Sequence, residues 1–176
     1  MNRKERSLLV GRTREAGFTL VELVVVILLI GILATVGLVR FAEVAADARR
    51  AILTSIAGSM RTTIALVRVE ARLQGLTPLS TNPGAGQSAF LIESELGLAE
   101  VDFRNLCPES SAELGDALDM IDYLSANLPE DLTVQIDNRF TRIGYEITNS
   151  ATLGCYLVYD SFGLPECTVD VVTNDC

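Results

Sequence analysis

The chain has 176 residues, 49% hydrophobic and 21% charged, with 14 bases against 23 acids and a net charge of −9. It contains no histidine, which excludes Ser-His-Asp, Cys-His and histidine-ligated metal chemistry and leaves no grouped catalytic set, so the chain reads as not an enzyme. From Leu76 onward three arginines (Arg104, Arg139, Arg142) face 17 acids, a balance that argues against nucleic acid as a partner.

Charge and hydrophobicity are divided along the chain. Residues 1–17 carry Arg3, Lys4, Arg6, Arg12 and Arg14 against Glu5 and Glu15. Phe18–Val39 then runs for 22 residues with Glu22 as its single charge. At about 1.5 Å per residue this is roughly 33 Å of helix, enough to cross a hydrocarbon core. The basic leader is expected to stay in the cytoplasm and the acidic remainder to be exported. A secretory signal is a poor fit. Its apolar core is about 7–15 residues long, and Glu22 sits inside the run here, although "AADA" at 45–48 imitates a cleavage site. A plain anchor explains the length but not the acid, which near mid-bilayer costs about 2.5–3.5 kcal/mol and calls for a partner.

Beyond the apolar run, Phe41, Val44, Ala48, Ile52, Ile56, Met60, Ile64, Val67 and Ala71 recur every three or four residues, one face of a continuing helix. Gly75 is placed as its C-cap, with Pro78 three residues on. "TPLSTNPGAGQS" (77–88) reads as a loop; it lacks the G-K-[ST] of a phosphate-binding loop. Leu114, Leu118, Ile121, Leu124 and Leu128 predict a short helix within 109–128, capped by Ser110 or Ser111 with Glu113 near N3. Asp116, Asp119 and Asp122 line another face of it and read as a solvated face rather than a Ca²⁺ site.

After Pro129, "LTVQID" (132–137), "RFTRIGYEIT" (139–148), "LGCYLVYD" (153–160) and "CTVDVVT" (167–173) predict four strands. Asp137-Asn138, Asn149-Ser150 and Gly163–Pro165 mark their connections. The expected fold class is α+β: a long amino-terminal helix, hydrophobic then amphipathic, packed on a four-stranded, mainly antiparallel sheet. Cys107, Cys155, Cys167 and Cys176 all lie on the exported side, where disulfides form. Four cysteines allow three pairings, and no C-x-x-C suggests a metal site.

"GFTLVELVVVILLIGILA" resembles the amino-terminal signature of type IV prepilins and type II secretion pseudopilins. The resemblance implies cleavage by a prepilin peptidase between Gly17 and Phe18, N-methylation of Phe18, and a role for Glu22 in assembly. Glu22 of an incoming subunit would neutralise the new amino group of Phe18 on a neighbour; Thr19 would have a minor role near that terminus. An α-ammonium titrates near about 7.7–8.0, so the pair would relieve a lone acid in lipid and favour one register. The chain then divides into a leader (1–17), a membrane and filament-core helix (18–39), its amphipathic continuation (40–74) and a globular head (75–176). Many pilins carry a proline where this chain has Val39, so a helix break is expected to be weaker here or shifted towards Gly31–Gly37.

"GYEIT…CYLVYD…CTVDVVTNDC", together with "RFAEVAADAR", is similar to the mannose-sensitive haemagglutinin (MSHA) type of pilin. That resemblance implies a Cys155–Cys176 disulfide and leaves Cys107 with Cys167. It implies a structural subunit of a pilus serving attachment, biofilm formation or motility, self-associating into a helical filament with no cofactor. Before assembly it would sit in the inner membrane with its head in the periplasm, and afterwards on the cell surface. The alternatives are a pseudopilin of a type II secretion system, or a minor tip subunit; Glu22 favours a repeating one.

Overall fold

The computed structural model describes residues 17–124, 128–148 and 150–176. The leader assignment and the Asn149 turn position therefore lie outside the described residues. Helix α1 spans Leu20–Leu73, 54 residues. It runs unbroken across Gly31 and Gly37 rather than breaking there. Two glycines cost about 1 kcal/mol each relative to alanine, little against so long a cooperative run. The helix ends where a glycine permits it. Gly75 takes φ +88°, Leu76 N–H donates to the Ala71 carbonyl and Gly75 N–H to the Arg72 carbonyl, both at 3.0 Å. This is a Schellman closure, and Leu76 packs back over the apolar cluster that contains Ala71.

Two units divide the chain, residues 1–42 and Glu43–Cys176. The second holds the core. Strands β3 (Thr133–Ile136), β4 (Phe140–Glu146), β5 (Cys155–Asp160) and β6 (Thr168–Val172) form an antiparallel meander in the order β3-β4-β5-β6. Leu53, Ile56, Ala57, Met60 and Ile64 of the helix pack on Ile143, Leu157, Tyr159 and Val169 of the sheet. Gly144 lies where β4 and β5 shift register, and a side chain there would collide with Tyr156 and the Cys155 carbonyl. The amphipathic stripe is buried from Ile56 onward, with Ile52 half-buried, whereas Phe41, Val44 and Ala48 are exposed. The periodicity alone does not say where the sheet begins to cover the helix.

Three arginines on other faces of α1 hold the sheet and its loops. Arg61 Nη2 donates to the Val169 carbonyl at 2.7 Å. Arg68 donates to the Asn105 carbonyl at 3.2 Å and pairs with Glu166 at 2.9 Å. Arg49 lies over the Tyr145 ring, 5.1 Å from its centroid.

Between helix and sheet the chain forms structure that its periodicity does not announce. A 3₁₀ segment covers Gly84–Phe90, ending the predicted loop early, and β1 (Leu91–Ser94) pairs with β2 (Gly97–Glu100) as a hairpin. Phe90, Ile92, Ala99, Val101, Phe103 and Leu106 form a second core with Val67 and Ala71.

The helix predicted within 109–128 does not form over its described residues. Their backbone groups are already taken. Leu118 N–H donates to Leu98, Glu100 N–H to Leu118, Glu109 N–H to Glu100 and Met120 N–H to Glu109, at 2.8–3.1 Å. Gly115 adopts φ +62°, and the Asp119 carboxylate accepts the N–H groups of Ile121 and Asp122, closing a turn in competition with a helix. Ser110, expected as a cap, instead shares a buried 2.7 Å hydrogen bond with Thr141.

Candidate assembly site at the start of the long helix

Gly17, Phe18 and Thr19 precede the first helical residue, Leu20. The Thr19 carbonyl accepts from Leu23 N–H at 3.2 Å, the first bond of the helix. The Thr19 hydroxyl accepts from Glu22 N–H, also at 3.2 Å. Thr19 is therefore the N-cap and Glu22 stands at N3, the spacing of a T-x-x-E capping box. The resemblance implied only a minor role for Thr19, whereas the T-x-x-E spacing marks it as the cap. Glu22 lies in the first turn, where unpaired N–H groups form the positive end of the helix dipole. Carboxylate and cap thus share the first turn, and the Gly17–Phe18 bond leads into it.

The surface around them is apolar on all sides. Phe18 is 79% exposed, and Leu20, Val21, Leu23 to Ile30, Ile32, Leu33, Val36 and Leu38 are all exposed. A helix apolar all round is stable in water only when covered. This one is long and apolar enough to cross a membrane by length and composition. Thr35 donates its hydroxyl back to the Ile32 carbonyl at 2.7 Å, so it presents no free donor there.

In the second unit, disulfides join Cys107 to Cys167 and Cys155 to Cys176. The second draws the chain end onto β5. Asp119 and Asp122 accept each other's backbone N–H groups, and among the described residues no group of three or more acids or cysteines is placed to hold a metal. Burial pushes the Asp119 carboxyl up, and backbone hydrogen bonds from Ile121 and Asp122 oppose it. A second exposed apolar surface went unnoticed in the sequence. Leu66, Val69 and Leu73 of α1 line an open groove of about 510 Å³ with Leu96 and Tyr123. Their spacing of three and four marks a helix face beside the buried one.

Residues 12–38 match the family model of the prokaryotic N-terminal methylation motif. Over this stretch the chain is similar to type IV pilins. It is 32% identical over 77 residues to the type IV narrow pilus major component PilA5 of Thermus thermophilus. That match covers 43% of this chain and 66% of the relative, just short of two thirds of its length. No solved structure matches the chain. The matched motif includes Gly17, Phe18, Thr19 and Glu22, the residues brought together at the helix start. The apolar helix fits membrane anchoring.

Proposed function

We propose that this chain is the repeating structural subunit of a type IV pilus-like filament of the MSHA type. A prepilin peptidase cuts between Gly17 and Phe18 and methylates Phe18. The helix holds the subunit in the inner membrane, head outward, until it enters the filament and the cell-surface pilus. There Glu22 of one subunit pairs with the Phe18 amino group of a neighbour.

The observation that carries this reading is the helix start. One carboxylate, Glu22, stands in a capped first turn four residues after Phe18, at the start of a helix apolar on every side. Such a surface needs lipid or copies of itself around it. The same surface serves both, because lipid tails and apolar side chains cover it equally well. A contact that joins different patches on successive copies leaves the assembly open, as a fibre requires.

Intact-mass analysis of sheared surface fibres tests the reading. The expected species begins at N-methyl-Phe18 and is lighter than the reduced chain by the hydrogens of two disulfides. Fibres in normal number from cells carrying Glu22→Gln or Glu22→Ala would overturn the pairing. Finding the chain confined to the cell envelope would point instead to a pseudopilin.

A further inference from the structure

The turn connecting β2 to the sheet buries an acidic cluster. Glu100 and Glu109 are 3% and 8% exposed, and Asp102 is fully buried. The backbone explains their convergence. Residues 100–109 fold back as a hairpin in which Glu109 N–H donates to the Glu100 carbonyl at 3.0 Å and Asp102 N–H to the Cys107 carbonyl at 2.8 Å. Val101 pairs with Pro108 between them.

Two of the three acids have compensating partners. Asp102 pairs with Arg104 at 2.5 Å, whose guanidinium is stacked between the Phe103 and Phe162 rings. Glu100 accepts the Glu113 and Leu114 N–H groups at 2.6 and 3.0 Å. Glu109 Oε2 is buried with no hydrogen-bond partner, and the Glu109 side chain lies near the buried Asp102 carboxylate. Two carboxylates cannot both be charged in such a place at low cost, whereas an acid and a carboxylate share a proton well.

The charges around Glu109 come from every element packed on it. The hairpin supplies Glu100, Asp102 and, through Asp102, Arg104; the following turn supplies Glu113. Strand β5 supplies Tyr159, whose hydroxyl donates to the Pro108 carbonyl at 2.5 Å. Helix α1 supplies Arg68, which acts on Tyr159 and is paired with Glu166. Acids dominate this set, and the one nearby arginine in the hairpin is committed to Asp102.

We propose that the globular unit carries a proton-operated lock, in which one proton shared by Glu109 and Asp102 holds the 100–109 hairpin closed and its loss in alkaline solution opens it. The hairpin is a junction, so its opening spreads. It is tied to β4 through Ser110, the residue that follows it, and Thr141, to the residue before β6 through Cys107–Cys167, and to α1 through Arg68. Burial, then repulsion from Asp102 and Glu100, pushes the Glu109 carboxyl up from 4.5 to about 9. The folded state binds a proton that the unfolded state releases above 4.5, so this group's contribution to stability falls as pH rises from about 4.5 to about 9.

The test is thermal and urea unfolding of the full chain in detergent micelles from pH 5 to 9, with Glu109→Gln beside it. Glutamine keeps a donor for Asp102 but cannot ionise. The wild-type unfolding constant is expected to rise with pH more steeply than that of E109Q. The difference should approach tenfold per pH unit, the signature of one proton. Parallel profiles would overturn the lock. Infrared spectroscopy of the wild type gives an independent reading even where E109Q does not fold. A protonated carboxyl band is expected at pH 7 and should bleach near pH 9; its absence at pH 7 would overturn the proposal alone.

Discussion

Asn105 is the side chain on which the junction between the hairpin and the sheet depends most. It is 1% exposed. Its amide donates to the Ser161 carbonyl at 2.6 Å and the Gly163 carbonyl at 2.9 Å, and its oxygen accepts from Cys107 N–H at 2.8 Å. It also braces Leu106, held at φ +63°, a conformation that costs a non-glycine residue about 1 kcal/mol or more. Asn105→Ala strips partners from three backbone groups. Two of those bonds are buried and the third half-buried. At about 1–3 kcal/mol for each buried orphan, the expected loss is about 3–5 kcal/mol, a large share of the 5–15 kcal/mol typical of a domain. Asn105→Asp preserves the acceptor for Cys107 but sets a carboxylate oxygen against two carbonyls, so at pH 7 it should be worse than alanine. Acidification should recover part of that loss, because a protonated carboxyl donates to one of the two carbonyls. Urea unfolding of the full chain in micelles, followed by circular dichroism, measures both variants. A loss below about 1 kcal/mol for N105A, or an N105D variant as stable as N105A at pH 7, would refute the reasoning.

Three further outcomes are expected. Thr19→Ala should remove about 1 kcal/mol of helix stability and speed amide exchange at Glu22, while Thr19→Ser should leave both near wild type. Reduction should destabilise the globular unit in steps. With sequence separations of 60 and 21, loop closure assigns about 4 kcal/mol to Cys107–Cys167 and about 3 kcal/mol to Cys155–Cys176, and selective Cys→Ser pairs followed by thermal unfolding should show that order. Burial works to raise the Asp137 carboxyl, but hydrogen bonds from Arg142 and from the Arg139 and Phe140 N–H groups outweigh it and hold it below its usual 3.8. Its contribution is therefore present above that value and lost as pH falls below it, so Asp137→Asn should lower stability at neutral pH by more than it does in acid below 3.8.

The parts of the fold legible in the sequence are those governed by local repetition. Apolar spacing of three and four marks α1, and Gly75 marks its end because a left-handed residue is what the last turn needs. Alternation and β-branching mark all four strands of the meander. What periodicity misread, it misread for one reason. Leu114, Leu118 and Leu124 do have helical spacing, but Leu118 exchanges backbone bonds with β2 and Leu124 enters the core from a turn. Apolar residues placed at helical intervals can satisfy a core from irregular backbone when a neighbouring strand supplies the hydrogen bonds. Long-range pairing of that kind leaves no local mark.

The helix start was legible for the opposite reason: its cap is made by a residue three positions away. Glu22 is conspicuous because it interrupts an apolar run, and Thr19 acts on it from three residues away. The acidic hairpin could not be found in this way. Glu100, Asp102 and Glu109 look like ordinary surface acids in a chain with 23 of them. Only the fold-back that pairs Val101 with Pro108 sinks them out of water. Once there, the same residue type acquires opposite roles: Asp102 is matched by Arg104, Glu100 is spent on two backbone N–H groups, and Glu109 is left to hold a proton. Acid chemistry in this head is therefore set by which carboxylate finds a donor first, a property of the turn rather than of the residues.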